Sequence, residues 1–494
     1  MDKNFKNPNL SIISVICVYL FLFFRVLFYS SIYHDSYSFF KSEDIYWILN
    51  MGNWIIHNAQ IPHFNFIGIN YSELNHLPWV CYQWMFALIM AFTNKLLGFY
   101  GLIFIYSVFY LAAISLLAYG LYLRGFRIFP EIAISVAIAS NILMSILDLR
   151  SFIFTVIGGS FLFIIFPYLE RKRFLWISLP VLFLLWTNLH LGFIFGIIWL
   201  AVEMIIIAVR KKSLYPIALL LLCILMTGIN PNGFYLYKYL YVLGNSPFMN
   251  THIMELLPFS FSHNYVADFY IILLLTSFIY AFNSVKIRGS EKIMFIFSII
   301  LTFISARHIS FLIIFMPLFY SAAFEKFINS FFKESEFFQN QYKQKIKLHV
   351  YFAICVFTGL ILCLNKAYPL PETPKFLTPS FIEYLNKNHL KSPVLSRAEV
   401  GGELLYYTSA RSFLDTRFDM YGDKYVKKYV ELYSLTGDGI GALKKNNIKY
   451  VLYNNKIPYG GKEPVFGLIE KKFKEAGCKL LYKDKELLLF KIGK

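Results

Sequence analysis

Glu43 and Asp44 stand side by side near the head of KSEDIYWILNMGNWIIHNAQIP, residues 41–62. A carboxylate held next to a hydroxyl can take its proton as a general base, which makes the pair the first candidates for chemistry. Farther along, polar and basic side chains cluster where apolar runs stop: Asp148 and Arg150, Asn188 and His190, Asn230 before Pro231, Arg307 and His308. The stretches between add Glu73, His76, Gln83, His252, Glu255 and Asp268. Taken singly, each is accounted for by a helix cap or a solvated loop. Arginine and histidine together suit a phosphate group, because their donors form charge-assisted hydrogen bonds to its oxygens. Six cysteines, at 17, 81, 223, 355, 363 and 478, show no metal-ligand spacing and no disulfide framework.

The elements that must position these residues are apolar. Of the 494 residues, 57% are hydrophobic and only 15% charged, against about 25% in a soluble globule. The chain therefore reads as a polytopic α-helical membrane protein. Runs long enough to cross hydrocarbon fall at 10–30, 98–122, 131–147, 151–169, 174–190, 191–209, 213–229, 267–285, 293–306, 309–323 and 348–365, about 11 spans. The first follows Lys3 and Lys6 and precedes no small-residue cleavage site, so it is expected to be an uncleaved span. With the N-terminus in the cytoplasm, the inner loops hold eighteen Lys and Arg, including RKR at 171–173 and RKK at 210–212. The outer loops before 366 hold five, and this contrast sets the orientation. The formal charge of +18 is then largely a topology signal, which excludes nucleic acid as a partner. Arg150 and Arg307 break the pattern: each is a cation on the basic-poor side, at the end of an apolar helix, where an anionic partner is expected.

Two domains follow: a transmembrane domain over 1–366, with a first extracytoplasmic loop at 31–97, and an extracytoplasmic C-terminal α/β domain over 367–494. In the loop, Ser42 is a good N-cap and Glu43 with Asp44 fill the first turn, where the helix dipole alone favours acids. Ile45, Ile48, Leu49, Gly52, Ile55 and Ile56 make a narrow apolar stripe, so this helix is expected on the membrane surface with Trp47 and Trp54 near headgroup depth. A second interfacial or re-entrant helix is expected at 77–92. In the C-terminal domain, SPVLS and SFLDTR read as strands, GGELLYY and KYVKKYVELY as helices, and GIGALKKNNIKYVLY as helix then strand. EPVFGLIEKKFKEAG reads as a final helix before a hairpin around Lys485. No repeat of the kind found in secondary transporters is present.

Together these pieces are similar to the GT-C superfamily of membrane glycosyltransferases, which includes protein O-mannosyltransferases, aminoarabinose transferases and oligosaccharyltransferase catalytic subunits. More closely, the chain resembles bacterial GT-C-like membrane proteins. SEDIYWILNMGNWI resembles their Asp-x-Asp-Leu-Trp-Trp-His-Leu opening and later Gly-x-Trp-Ile, placing Asp44 on the second acid. IPHFNF, PWVCYQW, LWTNLHLGFIFG, GINPNGFYLYKY, SARHISFLIIFMP and FLDTRFDMYG resemble further motifs of that group in the same order. The pattern's first acid is Ser42 here, another is Asn65, and Tyr82 and Gln83 replace the polar pair before Trp84.

The resemblance implies sugar transfer outside the membrane from a polyprenyl-phosphate donor to a glycan, lipid or protein acceptor, with inversion. Asp44 would be the base, with Glu43 beside it. Arg307 and His308, supported by Arg150, would hold the phosphate, and Asn188, His190, Glu255 and Gln83 would contact sugar or acceptor. Asp415 and Arg417 are expected to pair structurally. No cofactor is implied, since one or two carboxylates make a poor site for a divalent metal. The implied location is a bacterial cytoplasmic membrane. A lipid-linked polysaccharide polymerase or ligase, and an inactive GT-C-like scaffold, are the alternative readings.

Overall fold

A computed structural model of the chain describes residues 43–65, 77–127, 131–146, 149–253, 256–259, 265–331, 374–390, 392–434, 439–454 and 466–493. The expected spans at 10–30 and 348–365, together with Ser42, Glu73, His76, Asp148 and Glu255, lie outside the described residues. The chain divides into two compact units.

The first unit takes in Tyr100–Asn230 and Glu255–Leu370, with Met1–Lys41. Its described part is helical: α2 (Trp84–Leu123, from residue 100 onward), α3 (Ala133–Ile146), α4 (Ile153–Ile165), α5 (Leu175–Leu189), α6 (Phe193–Lys211), α7 (Tyr215–Thr227), α10 (Tyr265–Ala281), α11 (Gly289–Ile304) and α12 (Ile309–Phe331). Every expected span from 98 to 323 coincides with one of these helices. Among the described residues, three helices are long and apolar enough to cross a membrane: Trp84–Leu123, Phe193–Lys211 and Ala306–Ser330. The chain is accordingly a membrane protein. Helix α12 packs against α3, α4, α10 and α11, and Ile313, Ile314, Phe315, Met316, Leu318 and Phe319 are all buried. A helical stretch apolar on every side, as this one is, belongs in the middle of a bundle.

Several basic residues that read as loop charge also have internal work. Arg124 donates two hydrogen bonds to the buried Glu291 carboxylate, one at 2.8 Å, and lies over the Phe163 ring. Arg288 and Ser290 both donate to Glu203, an acid buried in the middle of α6. These pairs satisfy charges that would be costly alone in a low-dielectric interior.

The second unit takes in Ser42–Phe99, Pro231–Met254 and Pro371–Lys494. It contains α1 (Asp44–Asn58), the 84–97 part of α2, α8 (Tyr235–Gly244), α9 (Pro247–His252), α13 (Pro379–Asn388), β1 (Val394–Leu395), α14 (Ala398–Tyr407), α15 (Phe418–Ser434), α16 (Gly439–Lys445), β2 (Tyr450–Asn454), α17 (Phe466–Glu475), β3 (Lys479–Lys483) and β4 (Leu487–Lys491). The sheet order is β1-β2-β4-β3; β1 runs parallel to β2, and the other pairings are antiparallel. Leu487 to Phe490 are all buried, a continuous apolar run typical of a strand covered on both faces.

Three local expectations change. The helix read at 77–92 begins at Trp84, because residues 77–79 are tied to 63–65 by Asn65 N–H to Leu77 O at 2.8 Å and Trp79 N–H to His63 O at 2.9 Å. It then runs to Leu123 through a break at Gly98 (φ 63°, ψ −162°), a backbone conformation that needs glycine. SFLDTR forms no strand beyond a bridge between Val394 and Ser412, since its polar residues turn back on one another. The first part of helix α1 is packed inside protein: Tyr46, Trp47 and Met51 are buried along with Ile45, Ile48, Leu49, Gly52 and Ile55 of the expected stripe, Ile56 is half-buried, and α14 lies against the helix. Trp47, only 6% exposed, therefore faces protein neighbours where a membrane surface was expected.

Candidate active site

Asp44 opens α1 and Glu43 is its N-cap residue. Trp47 follows one helical turn later, and that i,i+3 spacing brings its indole N–H to Asp44 Oδ1 at 3.0 Å. The same oxygen accepts a hydrogen bond from the Thr416 hydroxyl. Two donors on one oxygen orient the carboxylate.

Thr416 is held by its neighbours in sequence. Arg417 grips Asp415 through Nε, at 2.9 and 3.1 Å, and through Nη2 at 2.6 Å, as expected from their spacing, and both residues are buried. Arg417 also reaches Asn65 Oδ1 at 3.3 Å and Tyr421 Oη at 3.4 Å, and lies 4.6 Å from the centre of the Trp79 ring. Burial works against the guanidinium charge, but Asp415 and Tyr421 more than restore it, and Arg417 titrates above the ordinary arginine range. Trp79 in turn meets Trp47 edge-on, with centroids 6.2 Å apart, so the arginine is linked by packing to the residue that orients Asp44.

A third acid joins this group. Asp419 accepts a hydrogen bond from the Tyr239 hydroxyl of α8. Burial raises the Asp419 carboxyl, Tyr239 and Arg417 oppose the rise, and the nearby charge of Asp44 adds to it. Glu43 is pushed up to about 7, chiefly by burial and partly by Asp44, while Lys375, 3.4 Å away, pulls the other way. A carboxyl poised there exchanges protons readily at neutral pH. Gln83 is buried in the same unit, just before α2. Sequence alone gives Thr416, Asp419 and Tyr239 no role; Thr416 and Asp419 fall in the polar run FLDTRFDMYG and Tyr239 in GINPNGFYLYKY.

The other expected site residues lie in the first unit. His190 Nδ1 is 2.7 Å from Thr155 Oγ1 and accepts the Gly192 amide at 3.0 Å. Arg307 sits on a 3-10 turn, Ala306–His308, close enough for its charge to act on the His190 ring. Ala306 N–H anchors that turn to Leu257 O at 2.9 Å. His308 Nδ1 lies 3.1 Å from Leu301 O, so it carries the proton, and its ring stacks near Phe311. Asn188 is buried and donates to Leu184 O at 2.8 Å and Ile229 O at 2.9 Å, tying α5 to the end of α7. The Arg150 carbonyl accepts the Tyr106 hydroxyl at 3.0 Å. Among the described residues, no three His, Cys, Asp or Glu side chains gather as they would around a metal ion.

No protein-family model matches the chain, and no curated protein does. A solved structure does: the apo crystal structure of the oligosaccharyltransferase from Archaeoglobus fulgidus, with a TM-score of 0.54 over 100% of this chain and 75% of that one. The two share 12% sequence identity, so the likeness is one of fold. This membrane protein is thus similar in fold to that archaeal oligosaccharyltransferase.

Proposed function

We propose that the chain is a GT-C glycosyltransferase that moves a sugar from a polyprenyl-phosphate donor to an acceptor outside a bacterial cytoplasmic membrane. The observation that carries this reading is the Asp44 carboxylate, oriented by Trp47 and Thr416 in a chain with an oligosaccharyltransferase fold. In the reaction Asp44 takes the proton of an acceptor hydroxyl. The acceptor oxygen attacks the anomeric carbon opposite the phosphate, the bond from that carbon to the phosphate oxygen breaks, and the configuration inverts. The electron pair leaves with the lipid phosphate, whose charge Arg307 holds with support from Arg150 and His308. Glu43, titrating near neutrality beside Asp44 in sequence, is a place for the transferred proton to go. The acceptor is a glycan, lipid or protein hydroxyl. The topology proposed with it has about 11 spans, a cytoplasmic N-terminus and the α/β segment outside, supported by the asymmetry of loop charge.

The test is turnover of a panel of polyprenyl-phosphate sugars by the purified, reconstituted protein, comparing wild type with Asp44→Asn. Release of lipid phosphate by wild type and its loss in a normally folded Asp44→Asn supports the reading. A fully active Asp44→Asn removes it, and inertness toward every donor favours the scaffold alternative.

A further inference from the structure

His190 ends α5 in an extended conformation (φ −160°, ψ 143°), and Gly192 leads into α6. The Gly192 amide, 3.0 Å from Nδ1, can only donate. Nδ1 is therefore an acceptor without a proton, and the neutral imidazole carries its hydrogen on Nε2. The other tautomer would turn one N–H against another and leave a donor unpaired. The Thr155 hydroxyl, 2.7 Å from the same nitrogen and buried at 1% exposure, completes the clamp. The clamp is also tight: a Cβ at Gly192 would lie 1.8 Å from Thr155 Oγ1 and 2.9 Å from Nδ1. Three helices thus fix one ring orientation in a residue that is half-buried overall, and the ring feels the charge of Arg307.

We infer that His190 is a neutral hydrogen-bond donor for an anion, its Nε2–H meeting a phosphate oxygen beside Arg307, with Thr155 and Gly192 as positioning residues that hold the tautomer. The identity of the anion, a prenyl phosphate, rests on the glycosyl-transfer reading above. This differs from the contact with sugar or acceptor expected for His190 from sequence.

Amide side chains separate this role from a structural one. Glutamine places its amide nitrogen near the position of Nε2, whereas asparagine reaches only the position of Nδ1. Full-length protein in lipid nanodiscs is titrated with farnesyl phosphate, with farnesol as the phosphate-free control. His190→Gln is expected to bind farnesyl phosphate within about threefold of wild type, and His190→Asn about tenfold more weakly, the scale of one hydrogen bond to a charged group. Thr155→Val is expected to weaken it several-fold, and none of the three to change farnesol binding. The inference is overturned if His190→Asn binds as wild type, if the variants lose farnesol equally, or if wild type does not bind farnesyl phosphate saturably. In the first two cases the glycosyl-transfer reading stands; in the third, donor turnover by wild type and Asp44→Asn decides it separately.

Discussion

The Thr416 hydroxyl donates a hydrogen bond to Asp44 Oδ1 across 372 positions of sequence, so the last quarter of the chain orients the acid that opens α1. If Asp44 is the base, loosening it harms the chemical step more than binding, because misoriented reacting groups lose rate before affinity. Thr416→Val is expected to lower kcat by about tenfold with KM nearly unchanged, and Thr416→Ser to restore it. Steady-state turnover of the donor identified by the panel measures both; equal activity of Val and Ser variants would detach Thr416 from catalysis.

Arg417 and Asp415 form a pair with no exposed side-chain surface. Removing one member strands the other charge in the interior. Arg417→Leu is expected to destabilise the protein by about 3–5 kcal/mol, and the double change with Asp415→Leu to recover part of that loss. Thermal melting in detergent, followed by tryptophan fluorescence, gives the order: single variant lowest, double variant between it and wild type.

Glu43 links stability to pH. Its carboxyl titrates near 7 in the folded protein against an ordinary value of 4.5, so between these the folded state binds more protons than the unfolded one. Stability that depends on this group is intact below about 4.5 and is lost as pH rises through 7. Glu43→Gln removes the dependence. Its melting temperature should match wild type near pH 4.5 and exceed it increasingly toward pH 8, by at most about 3 kcal/mol in stability. A constant difference across that range would show that Glu43 is not the linked group.

Arg124–Glu291 and Lys471–Glu475 have the same charges in opposite settings. The first pair is 5% and 0% exposed with short contacts, while the second is 72% and 66% exposed at 3.9 Å. Double-mutant cycles on thermal stability are expected to return a coupling of about 3 kcal/mol for the buried pair and under about 0.5 kcal/mol for the exposed one. Similar couplings would mean that Arg124 serves orientation in the membrane and contributes little to packing.

Local chemistry made the helices and most of the sheet legible. Apolar runs marked the helices between residues 98 and 323, because a long segment without charges in lipid must satisfy its own backbone hydrogen bonds, which a helix does. Leu487 to Phe490 read as a strand for a related reason: four consecutive apolar residues fit a sheet covered on both faces. The pairing of Asp415 with Arg417 was visible too, since two residues of separation let one reach the other.

Features that depend on neighbours a few positions apart were readable before folding: helix placement, the charge asymmetry of the loops, the acids at the head of α1. Tertiary structure alone decided which of those residues meet. Trp47 has the composition of a surface anchor, yet Trp79 from another segment of its unit covers it. SFLDTR has the pattern of a strand, yet Asp415 and Arg417 satisfy each other before a ladder can form. Thr416, Asp419 and Tyr239 lie in motifs that the sequence shows, yet their pairing is not visible there, because a hydrogen bond between positions 44 and 416, or 239 and 419, is a property of the folded chain and leaves no period in its sequence.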